Sequence, residues 1–475
     1  MSDLDLCYLP AHEALRRFKS RELSPVDLMA ATIRRAEAVK APINALTYIH
    51  FDEAMALARK AEAKYARGVR TGALEGLPVG IKDESEIEGK PSSMGSLIHK
   101  DHVSTRTSTM NARILAAGGI VHARTATPEF CCSGATWSRL WGVTRNPWNP
   151  EFTCGGSSGG AGASLAAGTS SLATGSDIGG SIRIPAAACG VVGYKPPYGR
   201  NPDDPPFNLD FFCHTGPMAR TVKDAILLQN VMTGPSPHDI TTLRPKLRLP
   251  LEYKPIKGWK IAFSMDLGFF EVDPDVQKNT LAALDVFRSL GATVEEVDLG
   301  WKQNVLDAGI GYLQHLFGGY VSKLLDAHAD EMTTYARQFA ERGRVSRSTD
   351  FVATLEVIGE MYQTLGPLLE RYDVLVCPTN ALPAVPADFD QSKDTVEING
   401  KVVHPMLGWA MTTPFNMMSR CPVLSVPTGH AGNGVPTGIQ IVGRTYCDAD
   451  VFRAGIAFEE AQGGWYRDAA GRPAL

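Results

Sequence analysis

An α/β protein, with a sheet covered by helices on both faces, is what this 475-residue sequence predicts. Three observations lead there. Short buried runs rich in Val and Ile alternate with segments of helical period along the whole chain. A helix-to-strand unit around Gly118-Gly119 recurs around Gly291. Hydrophobic residues make up 44% and charged residues 21%, enough apolar surface for a sizeable core and no sign of global disorder.

In chain order, Ser24-Pro25-Val26-Asp27 reads as an N-cap, a first-turn proline and an acid three residues after the cap. Leu28, Ile33 and Ala36 continue that helix. Ala45 to His50 reads as a strand and Asp52 to Ala66 as an amphipathic helix. Leu77-Pro78-Val79-Gly80-Ile81 is a short buried strand ending on Lys82-Asp83, a charged pair where α/β folds often place function. Thr109 to Ala117 is helical and leads to the strand Ile120 to Ala123; Val276 to Leu290 and Ala292 to Val297 repeat that order. Further buried strands fall at Asp373 to Cys377, Val423 to Val426 and Thr437 to Val442, and Asp450 to Gln462 is a closing helix. No internal repeat or low-complexity linker interrupts the chain, so residues 1–475 are expected to form a single domain.

Lys plus Arg total 47 against 51 Asp plus Glu, a net charge of −4 with no footprint for a polyanion, so nucleic acid is not an expected partner. Nine cysteines without a CxxC pair predict reduced thiols and a cytoplasmic protein. The first residues carry acids and bases and no apolar stretch of signal-peptide length. The longest uncharged run, residues 152–176, is Gly, Ser and Ala, which packs against backbone rather than inserting in a membrane. The histidines show no HExxH and the cysteines no zinc spacing, so neither metal nor cofactor is expected.

The informative tract is Cys154-Gly-Gly-Ser-Ser-Gly-Gly-Ala-Gly162, followed by Gly175-Ser-Asp-Ile-Gly-Gly-Ser-Ile-Arg-Ile-Pro185. As a phosphate loop it lacks a lysine before Ser181. As a nucleophile elbow, Gly155-Gly-Ser157-Ser-Gly159 satisfies GxSxG with His404 and His430 downstream, yet residues 150–154 make a poor preceding strand. A third reading needs no histidine: Lys82, removed from water, becomes a neutral amine able to act as a base through a second hydroxyl. Gly179-Gly180 before Ser181 suits an oxyanion hole, because residues without Cβ let N–H groups converge.

These residues resemble the amidase signature family. The resemblance runs from Gly76 to about Gly234 through GLPVGIKD, TPEF at 127–130, TRNPWN at 144–149, GGSSGG and GSDIGGSIRIPAAACGVVGYKP, and resumes at Pro414-Phe-Asn416, PVLSVPTG and PTGIQIVG. It implies the amidase signature fold, a central mixed β-sheet with helices on both faces. The N-terminal helical segment would be about 1–70, the core about 76–234, a variable substrate-loop region about 235–400, and the core return about 405–465. It further implies Ser181 as nucleophile, Ser157 as the bridging serine after a cis peptide, and Lys82 as base. Ser157 and Ser181 stand 24 residues apart, as the family's two serines do.

The N–H groups of Ile178, Gly179, Gly180 and Ser181 would hold the oxyanion, with Ser158, Asp177 and Arg183 bracing the loop. Phe130, Cys131, Cys132 and Trp137 are expected to line the acyl pocket, and Phe415, Met417 and Met418 a second apolar cluster. The implied activity is hydrolysis of an amide, carbamate or ester through an acyl-enzyme, by a protein that could pair as a homodimer. The alternative is the glutamine-hydrolysing component of a tRNA-dependent amidotransferase. Two departures from the family pattern stand out: Cys154, where a proline is common, and Phe212-Cys213-His214 before Gly216.

Overall fold

The computed structural model describes residues 1–475. Eleven strands form one mixed sheet: β1 (Leu46–Ile49), β2 (Pro78–Lys82), β3 (Ile120–Thr125), β4 (Leu172–Asp177), β5 (Val192–Lys195), β6 (His214–Ala219), β7 (Lys260–Phe263), β8 (Thr293–Glu296), β9 (Val374–Pro378), β10 (Val423–His430) and β11 (Pro436–Val442). Their spatial order is β1-β3-β2-β4-β6-β5-β10-β11-β9-β7-β8. The segment β3-β2-β4 is parallel, the middle from β4 to β9 is antiparallel, and β9-β7-β8 is parallel again.

Successive side chains of a strand point to opposite faces, and the two cores follow that rule. Val374 and Val376 enter one apolar core with the N-terminal helices and the helices Val222–Met232 and Asp448–Gln462. Leu375 and Cys377 enter another with Phe212, Trp409 and the helices Asn304–Leu313 and Thr334–Val345. Both faces are covered, as the continuous apolar runs predicted. No helix is long and apolar enough to cross a membrane.

The helix opened by Ser24 spans Pro25–Ile43, with the Ser24 hydroxyl accepting from the Val26 N–H. The predicted elements at 46–49, 51–66, 78–82, 109–116 and 120–125 are present, with ends within a few residues. The strand expected at 292–297 is present as β8, largely exposed at the sheet edge, where only β7 pairs with it. The strands β4 to β7 were not foreseen. LATGSD and HTGPMA carry Gly, Pro and few β-branched residues, and it is the neighbours on both sides that hold them extended.

The Gly/Ala tract becomes the wholly buried helix Gly159–Ala166. At Gly160 a Cβ would stand 2.1 Å from the Ala126 nitrogen and 2.6 Å from the Ala45 oxygen, so this helix touches bare backbone. Close approach is what the glycines provide, and it sets the preceding serines against the strand ends. Gly160→Ala is expected to destabilise the protein by roughly 1 to 3 kcal/mol or more through overpacking. Gly319→Ala, at a helical position with nothing within 4 Å, should instead be neutral or stabilising by up to ~1 kcal/mol. Urea midpoints check the pair; equal midpoints for the two variants would contradict the close-packing account.

Candidate active site

Parallel strands β2 and β4 end side by side, which brings Lys82, the last residue of β2, to Ser176 and Asp177, the last residues of β4. The Lys82 N–H donates to Thr174 Oγ1 over 3.2 Å, fixing the strand end. Asp83 turns away from the cavity: it accepts from the Ser93 N–H and hydroxyl at 3.0 and 2.6 Å and faces Arg124 at 3.9 Å. Arg124 in turn donates to the Ser85 carbonyl, holding the turn after the strand.

Lys82 Nζ lies 2.8 Å from Ser157 Oγ, 2.7 Å from Ser176 Oγ and 3.2 Å from a Glu84 carboxylate oxygen. The Gly156–Ser157 peptide is cis, as the family resemblance implied. Lys82 is 1% exposed. Burial, the largest influence, favours its neutral amine, but the Cys131 and Glu84 charges oppose it and the net displacement is upward from the ordinary lysine value. The Cys131 contribution needs a thiolate, and burial pushes that thiol up to about 12, so near neutrality Glu84 is the charge that matters. Burial and the Glu84 carboxylate thus act on Lys82 in opposite senses, the first favouring the neutral amine and the second the protonated one.

Ser181 sits in the turn Ile178–Ser181 between β4 and the helix Arg183–Cys189. Three of the turn's carbonyls are spent outward. Gly179 accepts from the Thr412 and Thr413 hydroxyls at 2.7 and 3.0 Å, Gly180 from the Ile184 N–H at 2.7 Å, and Ser181 from the Ser158 N–H at 3.0 Å. The four N–H groups of Ile178, Gly179, Gly180 and Ser181 have no acceptor in the protein. Unpaired backbone donors at a buried position are rare, and four in succession form a ready site for negative charge. Gly180 has φ of +128°, and a Cβ there would lie 1.9 Å from Thr412 Oγ1, so only glycine fits.

Asp177 and Arg183 brace this turn from beneath. Arg183 donates to both Asp177 oxygens at 2.9 and 2.8 Å, to the Thr412 carbonyl and Gln440 at 2.9 Å each, and to Asn416 at 2.7 Å. Burial alone would favour the neutral acid, but the Arg183 guanidinium holds the Asp177 carboxyl well below the usual range. Ser158 ties the serine loop to β4 through the Ser176 backbone, at 3.3 Å in both directions. His214 lies between the Asp177 and Ser419 carbonyls at 3.2 and 3.1 Å; burial pushes it down to about 3, so it is neutral and its single N–H donates to one of the two. Phe212 stacks on Tyr312 with ring centres 3.6 Å apart.

Two cavities meet at the serines. One, of about 30 Å³, is lined by Ser181 with Cys131, Cys132, Leu313, Phe339 and Leu407. The other, of about 200 Å³, is lined by Ser157 and Ser176 with Glu84, Asp203, Phe207 and Tyr320. Cys131, Ile178 and Phe317 belong to both walls. Cys131 and Cys132 thus face the pocket as expected, but Phe130 and Trp137 do not.

Phe130 has φ of +49° and Cys131 +59°; this left-handed reversal sends Phe130 into the core, edge-on to His99. Trp137 donates to the Phe389 carbonyl at 2.8 Å and packs edge-on against Tyr335. Phe415, Met417 and Met418 are core residues lining neither cavity. The elbow reading loses its partners as well: His430 lies between Trp148 and Trp465, and no hydrogen bond joins His404 or His430 to Ser157. Cys154 is buried, its thiol facing the Thr144 carbonyl at 3.5 Å.

The sequence reading missed Glu84, Ser176, Thr412 and the pocket helices. Glu84 lies two residues past Lys82, where the chain leaves the strand, and that position was the only available signal.

The family model described as Amidase matches residues 27–452. An acylamidase of Rhodococcus erythropolis is 34% identical over 97% of this chain and 96% of its own length. A glutamyl-tRNA(Gln) amidotransferase component of Geobacillus kaustophilus is 31% identical over 93% of this chain and 95% of its own. A solved bacterial aryl acylamidase of the amidase signature family superposes with a TM-score of 0.88 at 31% identity, covering 96% of each chain. Fold, site and these likenesses agree: the chain belongs to the amidase family and is an amide-hydrolysing enzyme with the amidase signature fold.

Proposed function

We propose that the chain cleaves aryl amides or aryl carbamates through an acyl-enzyme on Ser181. The carrying observation is the run of four unspent N–H groups beside Ser181, within the same site as the Lys82–Ser157 contact of 2.8 Å. Lys82, once neutral, takes the Ser157 proton; Ser157 takes that of Ser181 as its oxygen attacks the carbonyl carbon. The oxyanion accepts from the N–H groups of residues 178–181. Ser157 then returns a proton to the leaving nitrogen and the C–N bond breaks. Water attacks the ester, releases the acid and restores Ser181. No direct hydrogen bond joins the two serine hydroxyls, so substrate binding has to bring them together.

The cavities support the substrate class. The Ser181 side is small and walled by Leu313, Phe339 and Leu407, which suits a compact apolar acyl group. The Ser157 side is larger and carries Phe207 and Tyr320, a fit for an aromatic leaving group. The likeness to an acylamidase favours the same reading. The likeness to amidotransferase components keeps glutamine as the rival substrate, and the apolar wall beside Ser181 disfavours its polar chain.

Three outcomes are expected. A fluorophosphonate probe should modify Ser181, as mapped by mass spectrometry, and an adduct on Ser157 would refute the assignment. Ser181→Ala should lose hydrolysis and labelling together, with an unchanged melting temperature. An aryl amide or aryl carbamate should exceed acetamide and glutamine in kcat/KM by roughly 10- to 200-fold, the worth of an apolar contact or two. A glutamine rate equal to that of the best anilide would sink the aryl reading in favour of the amidotransferase one.

A further inference from the structure

The three neighbours of the Lys82 amine are not equivalent. Ser176 sits 2.7 Å from Nζ and donates its own hydroxyl proton to Glu84 Oε2 over 3.0 Å. With that proton committed, the Ser176 oxygen can only accept from the amine. The same Glu84 oxygen lies 3.2 Å from Nζ, an ion-pair contact on the Ser176 side of the amine. A neutral amine has two N–H bonds; Ser176 takes one, and the negative charge of Glu84 beside it draws the other toward the same side. Its lone pair is then left for the third neighbour, the Ser157 hydroxyl at 2.8 Å. Without the carboxylate, the Ser176 hydroxyl is free to turn its proton onto that lone pair and compete with Ser157.

The carboxylate also acts in the opposite sense. A negative charge beside the nitrogen favours the ammonium form, whose third N–H then points at Ser157 and closes the relay. The Glu84 side chain is 17% exposed against 1% for Lys82, so the acid faces the cavity while the base does not.

We propose that Glu84 is a positioning residue for the reaction: with Ser176 it aims the Lys82 lone pair at Ser157, and its charge sets the pH below which the relay is shut. This rests on the reading of Lys82 as the base. Other groups face the pair from neighbouring elements. Cys131, after β3, donates its thiol to Glu84 over 2.9 Å. Cys213, before β6, and Asp203 line the same cavity, and Arg124 of β3 lies behind Asp83. Burial pushes Cys131 up to about 12 and Cys213 well above the ordinary thiol value, so both stay neutral thiols through neutral pH. Asp203 is pushed up to about 7 by burial, which makes it the control for any effect near neutrality.

The test is the pH profile of kcat/KM for para-nitroacetanilide hydrolysis, together with the pH profile of fluorophosphonate labelling. Both are measured on the wild type and on Glu84→Gln, Glu84→Asp, Ser176→Ala, Asp203→Asn and Lys82→Ala, with melting curves for each. In Glu84→Gln the acidic limb should move about 1 to 3 pH units lower, the range set by an adjacent opposite charge. Its plateau should fall about 10- to 100-fold through loss of alignment. Glu84→Asp, which keeps the charge, should hold the limb near the wild-type position. Ser176→Ala should lower the plateau and leave the limb in place.

If Glu84→Gln does not melt cooperatively, Glu84→Asp and Ser176→Ala decide: a limb displaced in the first, or an undiminished plateau in the second, overturns the proposal. Superimposed wild-type and Glu84→Gln limbs, or a limb that moves with Asp203→Asn instead, also overturn it. In those cases an inactive Lys82→Ala still upholds Lys82 as base, whereas wild-type rates in Lys82→Ala would refute that underlying reading itself.

Discussion

Asp177 and Arg183, six residues apart, bury opposite charges against each other where β4 gives way to the turn of Ile178–Ser181. Much of the polar support beneath that turn converges on this pair. Arg183 fans out to Asp177, Thr412, Asn416 and Gln440, joining the turn to β11 and to the segment before the short helix Pro414–Met417. Thr412 and its neighbour Thr413 then draw the Gly179 carbonyl outward. A carbonyl held outward turns the adjoining N–H, that of Gly180, inward as one of the four unspent donors. A buried ion pair is a costly way to hold a turn, and removing one partner from such pairs typically costs about 3 to 5 kcal/mol. The proposed return here is an arrangement of donors that does not reorganise when charge develops.

A second tension concerns Lys82. A base at the end of a buried strand would lose its charge from desolvation alone, yet Glu84 is close enough to oppose that loss. Desolvation and charge pairing thus act against one another on one nitrogen. The same contacts that hold the proton on the amine also point the amine at Ser157. Orientation and ionisation cannot be separated at this site by geometry, only by varying pH.

What was legible in the sequence follows physical lines. The Ser24 cap, the apolar period of 25–43 and the Val/Ile runs of β2, β9 and β10 are local signals and read correctly. LATGSD and HTGPMA carry none, because their extended form is imposed by flanking strands. The GGSSGG and GSDIGGS tracts marked the candidate site, since only residues with little or no side chain permit the backbone approach seen at Gly160 and Gly180. Phe130 and Trp137 were misassigned because adjacency in sequence says nothing of direction, and a left-handed residue reverses which side chain faces the pocket. Glu84 was passed over for a related reason. Its carboxylate gains meaning only from Ser176, which is 92 residues away in the chain.

If the backbone donors of Ile178 to Ser181 receive the charge formed in the reaction, a crystal structure of the protein inactivated by an aryl sulfonyl fluoride should show them engaged. The expected arrangement has a sulfonyl oxygen about 2.7 to 3.1 Å from at least two of those four nitrogens, with the Asp177–Arg183 pair undisturbed. A sulfonylated Ser181 whose oxygens point away from all four nitrogens would contradict it.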